Sequence, residues 1–173
     1  MEVPARAAGG DSPESIMVKV ILSVLLVLSI SLPAAAAESR EVDRAEITRV
    51  ISSVIGWAKD KNLELFYGSI ANDEDYISVT PGRRVIKRFE DVKANAPFWL
   101  SPDFQYVRHE LKDLEITFAR CGEVAWFYCV LDDINTYKGE PASWENTRWT
   151  GVVEKRDGRW VVVSQHFSFA SDR

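Results

Sequence analysis

Apolar residues after residue 40 recur first at helical spacing and then at strand spacing. Between Glu41 and Asp60 they fall at i, i+3, i+4 and i+7, which predicts an amphipathic helix, and Asp43 with Glu46 forms a candidate capping box at its start. Two further helices are predicted, a short one over residues 63–67 and a third over residues 89–100 that is interrupted or ended near Pro97. The apolar positions of the first helix are Ile47, Val50, Ile51, Val54 and Ala58.

From Phe104 onward the apolar positions alternate, which is typical of half-buried strands. Lys112 and Asp113 interrupt this alternation and form a candidate bulge, and residues 132–146 are polar and are predicted to be a loop. Helices followed by an antiparallel meander predict a single α+β domain, with three N-terminal helices packed in the concave face of a curved, mainly antiparallel sheet. The strands predicted before the final hairpin are residues 76–80, 83–87, 104–110, 114–119 and 124–131.

The segment from Arg148 to Ser168 predicts a β-hairpin, because Asp157-Gly158 is a strong turn signal between two alternating apolar runs. We expect a three-residue turn with Gly158 as the bulge, which would place Val153 opposite Val161; a two-residue turn would mix the two faces. The face expected to meet the helices carries Trp149, Gly151, Val153, Val161, Val163, Gln165, Phe167 and Phe169. The face expected to point outward carries Arg148, Thr150, Val152, Glu154, Trp160, Val162, Ser164 and His166.

Residues 17–37 have the pattern of an export signal. Lys19 supplies the positive charge, residues 20–32 form the apolar region, and Ala35-Ala36-Ala37 gives the small-residue cleavage pattern. We therefore expect cleavage after Ala37 and a secreted or periplasmic protein.

Two alternatives concern the same end of the chain. The apolar run is shorter than the ~20 residues of a membrane span unless the alanines are counted, and an uncleaved segment would anchor the chain in the membrane. Met17 is an alternative start, in which case residues 1–16 are not part of the protein. With cleavage after Ala37, residues 1–37 are predicted to be an N-terminal extension plus a signal peptide, and residues 38–173 are predicted to form one domain.

Net charge and aromatic content narrow the kinds of partner that the protein is expected to bind. The chain has 173 residues, a formal net charge of −5, and six Trp, five Tyr and eight Phe. This charge balance gives no reason to expect nucleic acid or an anionic membrane surface as a partner. Cys121 and Cys129 lie roughly 25 Å apart if a strand of ~3.3 Å per residue joins them, so we expect two free thiols.

The closing hairpin resembles that of SnoaL-like domains, which belong to the nuclear transport factor 2-like superfamily with the ketosteroid isomerases and the kinase association domain. The shared features are an Arg-x-Thr strand from Arg148, an Asp-Gly-x-Trp turn from Asp157 and a His-x-Ser end from His166. Residues 122–126 also resemble the family's middle strand. The resemblance implies a cone-shaped fold around a cavity, commonly homodimeric through the outer face of the sheet. It does not decide the function, because this fold hosts isomerases, dehydratases, cyclases, hydrolases and non-catalytic scaffolds.

Enzymes of this superfamily place an acidic or histidine base inside the cone. The catalytic candidates here are His166, which follows an apolar strand, and Asp75, which lies in an acidic turn. Asp132 and Asp133, at a strand end beside the predicted loop, are further candidates for such a base, and the alternative interpretation is that they only end the strand. His109 and His166 lack the spacing of metal ligands, and the phosphate-binding glycine motifs are missing, so we expect neither a metal nor a cofactor.

Aromatic residues are numerous enough to line an apolar ligand cavity. The sequence therefore favours a non-catalytic domain that binds a small apolar or amphipathic molecule in its cone. The alternatives are an isomerase- or dehydratase-type enzyme with an acid or base in the cone, and a dimeric assembly module. The residues expected to bind the ligand are Tyr67, Tyr76, Trp99, Tyr106, Trp126, Trp149, Gln165 and Phe167.

Overall fold

Helix α1 covers residues 37–56 and buries one apolar face. The computed structural model describes residues 37–171, of which the part from Val42 onward forms a compact unit. Ile47, Val50, Ile51 and Val54 are all buried, so the predicted helix and its apolar stripe are confirmed. The predicted signal peptide lies outside the described residues, apart from Ala37.

Three shorter helices follow α1, after a single 3₁₀ turn over Trp57–Lys59. They are α2 (Leu63–Ser69), α3 (Arg88–Lys93) and α4 (Ala96–Leu100). Pro97 lies in the first turn of α4, where its missing N–H leaves no hydrogen bond unmade. The expected third helix is therefore interrupted as predicted, but the proline opens the second half rather than closing the first.

The sheet of the described residues has seven strands: β1 (Ile77–Val79), β2 (Val85–Lys87), β3 (Phe104–Phe118), β4 (Val124–Tyr137), β5 (Glu140–Pro141), β6 (Trp144–Arg156) and β7 (Arg159–Ser168). Their order is β2-β1-β7-β6-β4-β3, with β5 paired to β4. All neighbours are antiparallel except β1 and β7, which are parallel. The sheet curls into a half-barrel around the helices, which confirms the predicted α+β fold.

The predicted bulge in β3 is confirmed and helps the sheet to curl. The pairing of β3 with β4 shifts register between Lys112 and Glu115, and Asp113 has a left-handed φ of 54°. Such bulges bend a strand and increase its twist. The two expected segments on either side are therefore one continuous bent strand.

The loop predicted for residues 132–146 is wrong. Strand β4 continues to Tyr137, and β6 already begins at Trp144. Lys138 and Gly139 make the turn between β4 and β5, both with left-handed φ values of 53° and 83°. Residues 132–137 are mostly polar but continue the strand, and they keep the alternation of the preceding apolar residues.

The predicted strand pairing of the hairpin is wrong next to the turn. Asp157 and Gly158 have φ values of 50° and 76°, so they form a two-residue turn and Arg156 pairs with Arg159. Aspartate tolerates this left-handed conformation, which removes the need for a bulge at Gly158. Val153 therefore pairs with Val162, not with Val161.

A register shift at Val163 restores the predicted faces further along the hairpin. Beyond it, Gly151 pairs with Gln165 and Trp149 with Phe167. Trp149, Gln165 and Phe167 are buried, as expected for the inner face. Nearer the turn Val153 and Val161 are buried as expected, whereas Trp160 and Val162, which were expected to point outward, are buried as well.

The predicted capping box at Asp43 and Glu46 is also wrong. Helix α1 already runs from residue 37, so Asp43 lies in the helix interior. Its carboxylate instead accepts hydrogen bonds from Lys155 Nζ at 2.7 Å and from Trp160 Nε1 at 2.8 Å. These contacts tie α1 to the hairpin, and they explain why an acidic residue occupies this turn of the helix.

Candidate functional site

A cavity of about 130 Å³ lies between the helices and the concave face of the sheet. Its helical wall is formed by α1, the 3₁₀ turn and the three shorter helices, and its other wall by β1, β2, β3, β4, β6 and β7. Most of the lining is apolar. The polar lining residues are Tyr76, Ser78, Thr80, Asp133, Asn135 and Gln165.

Aromatic rings make up much of the apolar lining. On the helical side Trp57 stacks on Phe66 with ring centroids 4.9 Å apart, and Trp99 meets both rings edge-on. On the sheet side Trp144 packs against Phe167 at 5.2 Å. Interlocked rings of this kind hold their positions, so this part of the cavity is preformed.

Asp133 is the acidic residue in the cavity lining. It lies on β4 between two cross-strand partners, His109 on β3 and Trp144 on β6. Burial raises the pKa of Asp133 to about 6, and the hydrogen bond from the Asn135 side chain offsets only part of this effect. A carboxyl group with such a pKa exchanges its proton near neutral pH.

The neighbouring Asp132 has the opposite environment because it points to the other face of β4. It accepts hydrogen bonds from the backbone N–H of Asn146 at 2.8 Å and from Lys112 Nζ at 3.0 Å. These contacts hold the pKa of Asp132 below its ordinary value. Two adjacent aspartates thus differ in pKa because one faces the cavity and the other faces a cation and an amide.

Two buried side-chain amides complete the polar part of the cavity. Gln165 Nε2 donates a hydrogen bond to the Tyr76 hydroxyl at 2.8 Å. Burial raises the pKa of Tyr76 to about 12, against the opposing effect of its hydrogen bonds with Ser78 and Gln165, so this phenol stays protonated. Gln165 Oε1 and Asn135 Oδ1 accept no hydrogen bond from any described residue. Both side chains are at least nine-tenths buried, with residual exposures of 5% and 4%.

His109 stands beside this polar group but is held by helix α1. Its Nε2 lies 3.0 Å from Ser52 Oγ, and its Nδ1 lies 2.8 Å from the Tyr106 hydroxyl. Gly56 makes room for the ring, since a Cβ there would lie 2.9 Å from His109 Cε1. Burial lowers the pKa of His109, which favours the neutral imidazole. The histidine therefore braces β3 against α1.

The family of this chain follows from a comparison with known families. Residues 47–172, which include α1 from its buried stripe onward and the whole sheet, match the model of the SnoaL-like domain. The chain belongs to the SnoaL-like domain family. This confirms the resemblance carried by the closing hairpin.

Solved structures of nuclear transport factor 2-like proteins share the fold of this SnoaL-like domain. This chain is similar to a candidate scytalone dehydratase from Novosphingobium aromaticivorans, with 14% identity, a TM-score of 0.64, and coverage of 78% of this chain and 89% of that one. The chain is also similar to a candidate dehydratase from Streptomyces avermitilis, with 15% identity, a TM-score of 0.62, and coverage of 76% of this chain and 99% of that one.

A third similar structure is a candidate calcium/calmodulin-dependent kinase II association domain from Exiguobacterium sibiricum. It shares 10% identity and a TM-score of 0.60, over 76% of this chain and 95% of that one. At these identities the likeness shows the fold alone. A comparison with curated proteins finds no match.

The SnoaL-like domain brings half of the predicted ligand-binding residues to its cavity. Tyr76, Trp99, Gln165 and Phe167 line it. The other four do not belong to the lining. Tyr67 packs against Phe89, Tyr106 contacts His109, Trp126 is half exposed on the outer face of the sheet, and Trp149 is fully buried in the core behind Phe167.

Neither predicted catalytic candidate lies in the cavity. His166 is exposed and lines a groove on the outer face of the sheet together with Trp126 and Tyr128. Asp75 is exposed in the turn before β1. His166 was expected opposite Arg148, but the observed register pairs His166 with Thr150 and Arg148 with Ser168.

The cavity gathers two polar residues from β4, Asp133 and Asn135; the sequence predicted Asp133 only as a candidate at a strand end and did not predict Asn135. The signal was present, because Cys129, Leu131, Asp133 and Asn135 occupy alternate positions along one strand. The predicted loop over residues 132–146 ends the strand at Leu131 and so leaves these positions out of the sheet. The same predicted loop includes Trp144, the first residue of β6, which is why this residue was not expected in the cavity either.

Two further findings concern metal and membrane. Within residues 37–171, no three His, Cys, Asp or Glu side chains converge in a way that would hold a metal ion. Among the helices of the same residues, none combines the length and apolar character needed to cross a bilayer. Both cysteines are free, as predicted, with Cys121 exposed and Cys129 buried.

Proposed function

We propose that this SnoaL-like domain binds a small molecule in its cone, mainly through apolar contacts with the aromatic walls. The observation that carries the proposal is the cavity of about 130 Å³ between preformed aromatic walls. This volume is close to the ~150 Å³ apolar cavity that accepts a benzene molecule in another protein. The ligand, or the part of it that enters the cone, is therefore about the size of one six-membered ring.

The lining also supports a ligand that carries at least one polar group. Gln165 and Asn135 each present a buried amide oxygen that has no partner among the described residues. A buried acceptor without a partner costs about 1–3 kcal/mol, and a hydrogen-bond donor on the ligand would offset this cost. An amphipathic ring compound thus fits the lining better than a hydrocarbon.

Titration of the full chain with toluene, benzyl alcohol and benzylamine tests the proposal. Trp57, Trp99 and Trp144 line the cavity, so intrinsic tryptophan fluorescence reports its occupation, and calorimetry gives the affinity independently. We expect saturable binding of at least one compound. Saturation by none of the three would contradict the proposal.

Two matched variants locate the binding. Ala58→Phe adds a ring inside the cavity and should abolish binding, whereas Thr150→Phe adds the same ring on the exposed outer face and should leave it unchanged. Circular dichroism checks that both variants are folded. If Ala58→Phe bound the compound as well as the unmodified chain, the ligand would sit elsewhere.

A second candidate function, a proton-transfer enzyme of the isomerase or dehydratase type, is supported by Asp133. A base works best when its pKa lies near the working pH, and burial brings the pKa of Asp133 to about 6. In this role the ionised carboxylate would take a proton from a carbon or hydroxyl group of the bound molecule and return it at another position.

Deuterium exchange at the carbons next to the carbonyl of cyclohexanone tests this second function without knowledge of the natural substrate. The exchange rate, followed by proton NMR, should rise between pH 5 and pH 7 as Asp133 ionises. Asp133→Asn should abolish the enhancement, while Asp132→Asn, on the other face of the strand, should retain it. Exchange no faster than in buffer alone would remove the enzyme hypothesis.

We also propose that the domain forms a homodimer through the outer face of its sheet. Trp126 and Tyr128 are exposed there by 50% and 36%, and aromatic residues are enriched in the centres of protein interfaces. Light scattering should give twice the monomer mass, and Trp126→Ser should lower it. Val107→Ser, at a residue of β3 that is also exposed, is the control. A monomer at high concentration would refute dimerisation.

Export by the N-terminal segment is a separate proposal that rests on the pattern of residues 17–37. Expression with this segment should deliver the protein outside the cytoplasm, and N-terminal sequencing should begin at Glu38. Retention in the cytoplasm with an intact N-terminus would contradict it.

A further inference from the structure

We infer that the cone selects a small primary ammonium compound over neutral alcohols and carboxylates of the same size. The inference rests on the proposed binding function and adds the chemical class of the ligand. It stands on three features of the same cavity: the polar atoms that remain without partners, the charge of the lining, and its aromatic rings.

The buried lining atoms that have no hydrogen-bond partner among the described residues are acceptors. Gln165 Nε2 donates one hydrogen bond to the Tyr76 hydroxyl, and the Asn135 side chain is hydrogen-bonded to the Asp133 carboxyl. The corresponding oxygens, Gln165 Oε1 and Asn135 Oδ1, are buried and accept no hydrogen bond from a described residue. The Asp133 carboxylate adds further acceptor positions. A primary ammonium group carries three donors and no acceptor, which complements this set.

The charge of the lining favours a cation. Asp133 is an acidic lining residue, and no Lys, Arg or His of the described chain lines the cavity. His109, the titratable neighbour of Asp133 on β3, is held by Ser52 and Tyr106, and burial favours its neutral form. A carboxylate ligand would therefore meet a like charge without a compensating cation.

The aromatic walls favour the same charge. Trp57, Trp99 and Trp144 all line the cavity, and the face of an indole ring attracts a cation through its quadrupole. A neutral alcohol would gain the hydrogen bonds to the amide oxygens but neither this attraction nor the pairing with Asp133. The ring of the ligand would occupy the apolar part of the cone, and its ammonium group the polar end.

Calorimetric titration of the full chain at pH 8 with benzylamine, benzyl alcohol and benzoate tests the inference, because the three probes share one ring and differ in charge. We expect benzylamine to bind at least about tenfold tighter than benzyl alcohol, the scale of one charge-assisted hydrogen bond. Benzoate should bind more weakly than either.

A pair of variants assigns the selectivity to Asp133. Asp133→Asn keeps the shape of the side chain and removes its charge, so benzylamine should lose its advantage over benzyl alcohol. Asp132→Asn removes the neighbouring charge on the opposite face of β4 and should leave the advantage intact. The comparison of the three ligands on the unmodified chain remains decisive if a variant does not fold.

The results separate the inference from the binding function beneath it. Binding of benzyl alcohol or benzoate as tight as that of benzylamine would overturn the ammonium selectivity and leave the cone as a binding site. An advantage of benzylamine that survives in Asp133→Asn would also overturn it. Binding of toluene alone would overturn the inference and leave the cone as an apolar binding site, whereas failure of toluene and of all three probes to bind would overturn the proposed function together with the inference.

Discussion

Replacing Asp133 by asparagine should stabilise the folded protein at pH 8, although it alters a residue of the candidate site. In the folded state burial raises the pKa of this carboxyl from its ordinary value of 3.8 to about 6. At 1.36 kcal/mol per pKa unit, the ionised group disfavours the folded state by about 3 kcal/mol. An asparagine still has to be removed from water, so we expect a gain in unfolding free energy of about 2 kcal/mol.

The gain in unfolding free energy from Asp133→Asn should grow as the pH rises. Because the folded state binds the proton more tightly than the unfolded state, the contribution of Asp133 is most favourable below pH 3.8 and is lost as the pH rises through about 6. The advantage of Asp133→Asn should therefore be full at pH 8, decline between pH 6 and pH 4, and vanish below pH 4.

Asp132→Asn should show the opposite trend, which makes it the matched control. The amide of Asn146 and the ammonium of Lys112 lower the pKa of Asp132, so its stabilising contribution is present at neutral pH and is lost on acidification. This variant should be less stable than the unmodified chain at pH 8, and the difference should shrink towards pH 3.

Urea unfolding followed by tryptophan fluorescence and circular dichroism, repeated from pH 3 to pH 8, gives both curves. Differences from the unmodified chain at each pH cancel the titration of all other groups. If Asp133→Asn were destabilising at pH 8, or stabilising by the same amount at every pH, the carboxyl would not be held in a desolvated site.

Two other predictions concern packing and thiol reactivity. Gly151→Ala should destabilise the protein by about 1–3 kcal/mol in urea unfolding, since its Cβ would lie 2.5 Å from a ring carbon of Phe127 and 2.7 Å from a backbone oxygen of β7. The control Gly68→Ala, with open space around residue 68 in α2, should instead stabilise the protein by up to about 1 kcal/mol. Equal effects of the two substitutions on the unfolding free energy would refute this reasoning. A chromogenic thiol reagent should modify the exposed Cys121 rapidly in the folded protein and Cys129 only after unfolding. The reason is that Cys129 is fully buried and its pKa is raised to about 12. Two thiols that react fast before denaturation would count against the structure.

Local patterns predicted most elements correctly because each depends on neighbouring residues. The stripe of α1 recurs over about two helical turns, from Ile47 to Val54. The bulge at Lys112 and Asp113 is visible as a break in the alternation of β3. The sequence also predicts the hairpin turn at Asp157-Gly158, but it does not predict the register of the two strands. The number of turn residues depends on whether Asp157 adopts a left-handed φ, and the bulge at Val163 then shifts the pairing again.

The site was harder to predict than the fold. Tyr76, Trp99, Gln165 and Phe167 were expected in the cavity because large aromatic or amphipathic residues follow strand and helix patterns. The position of Asp133 in the cavity could not be predicted, because a strand rich in polar residues resembles a loop when its partner strands are unknown. Pairing with β3 and β6 over this stretch is what makes it a strand.

The sequence by itself determined the order of helices and strands, the turn of the closing hairpin and the family to which the chain belongs. These properties rest on backbone preferences and on the periodicity of apolar residues over short distances. Only the tertiary structure decided which aspartate is chemically distinctive. Asp132 and Asp133 are neighbours of identical composition, but the curled sheet turns one towards Lys112 and the other towards the aromatic cavity. A pKa depends on the groups that surround a carboxyl in space, and here those groups come from elements distant in the chain.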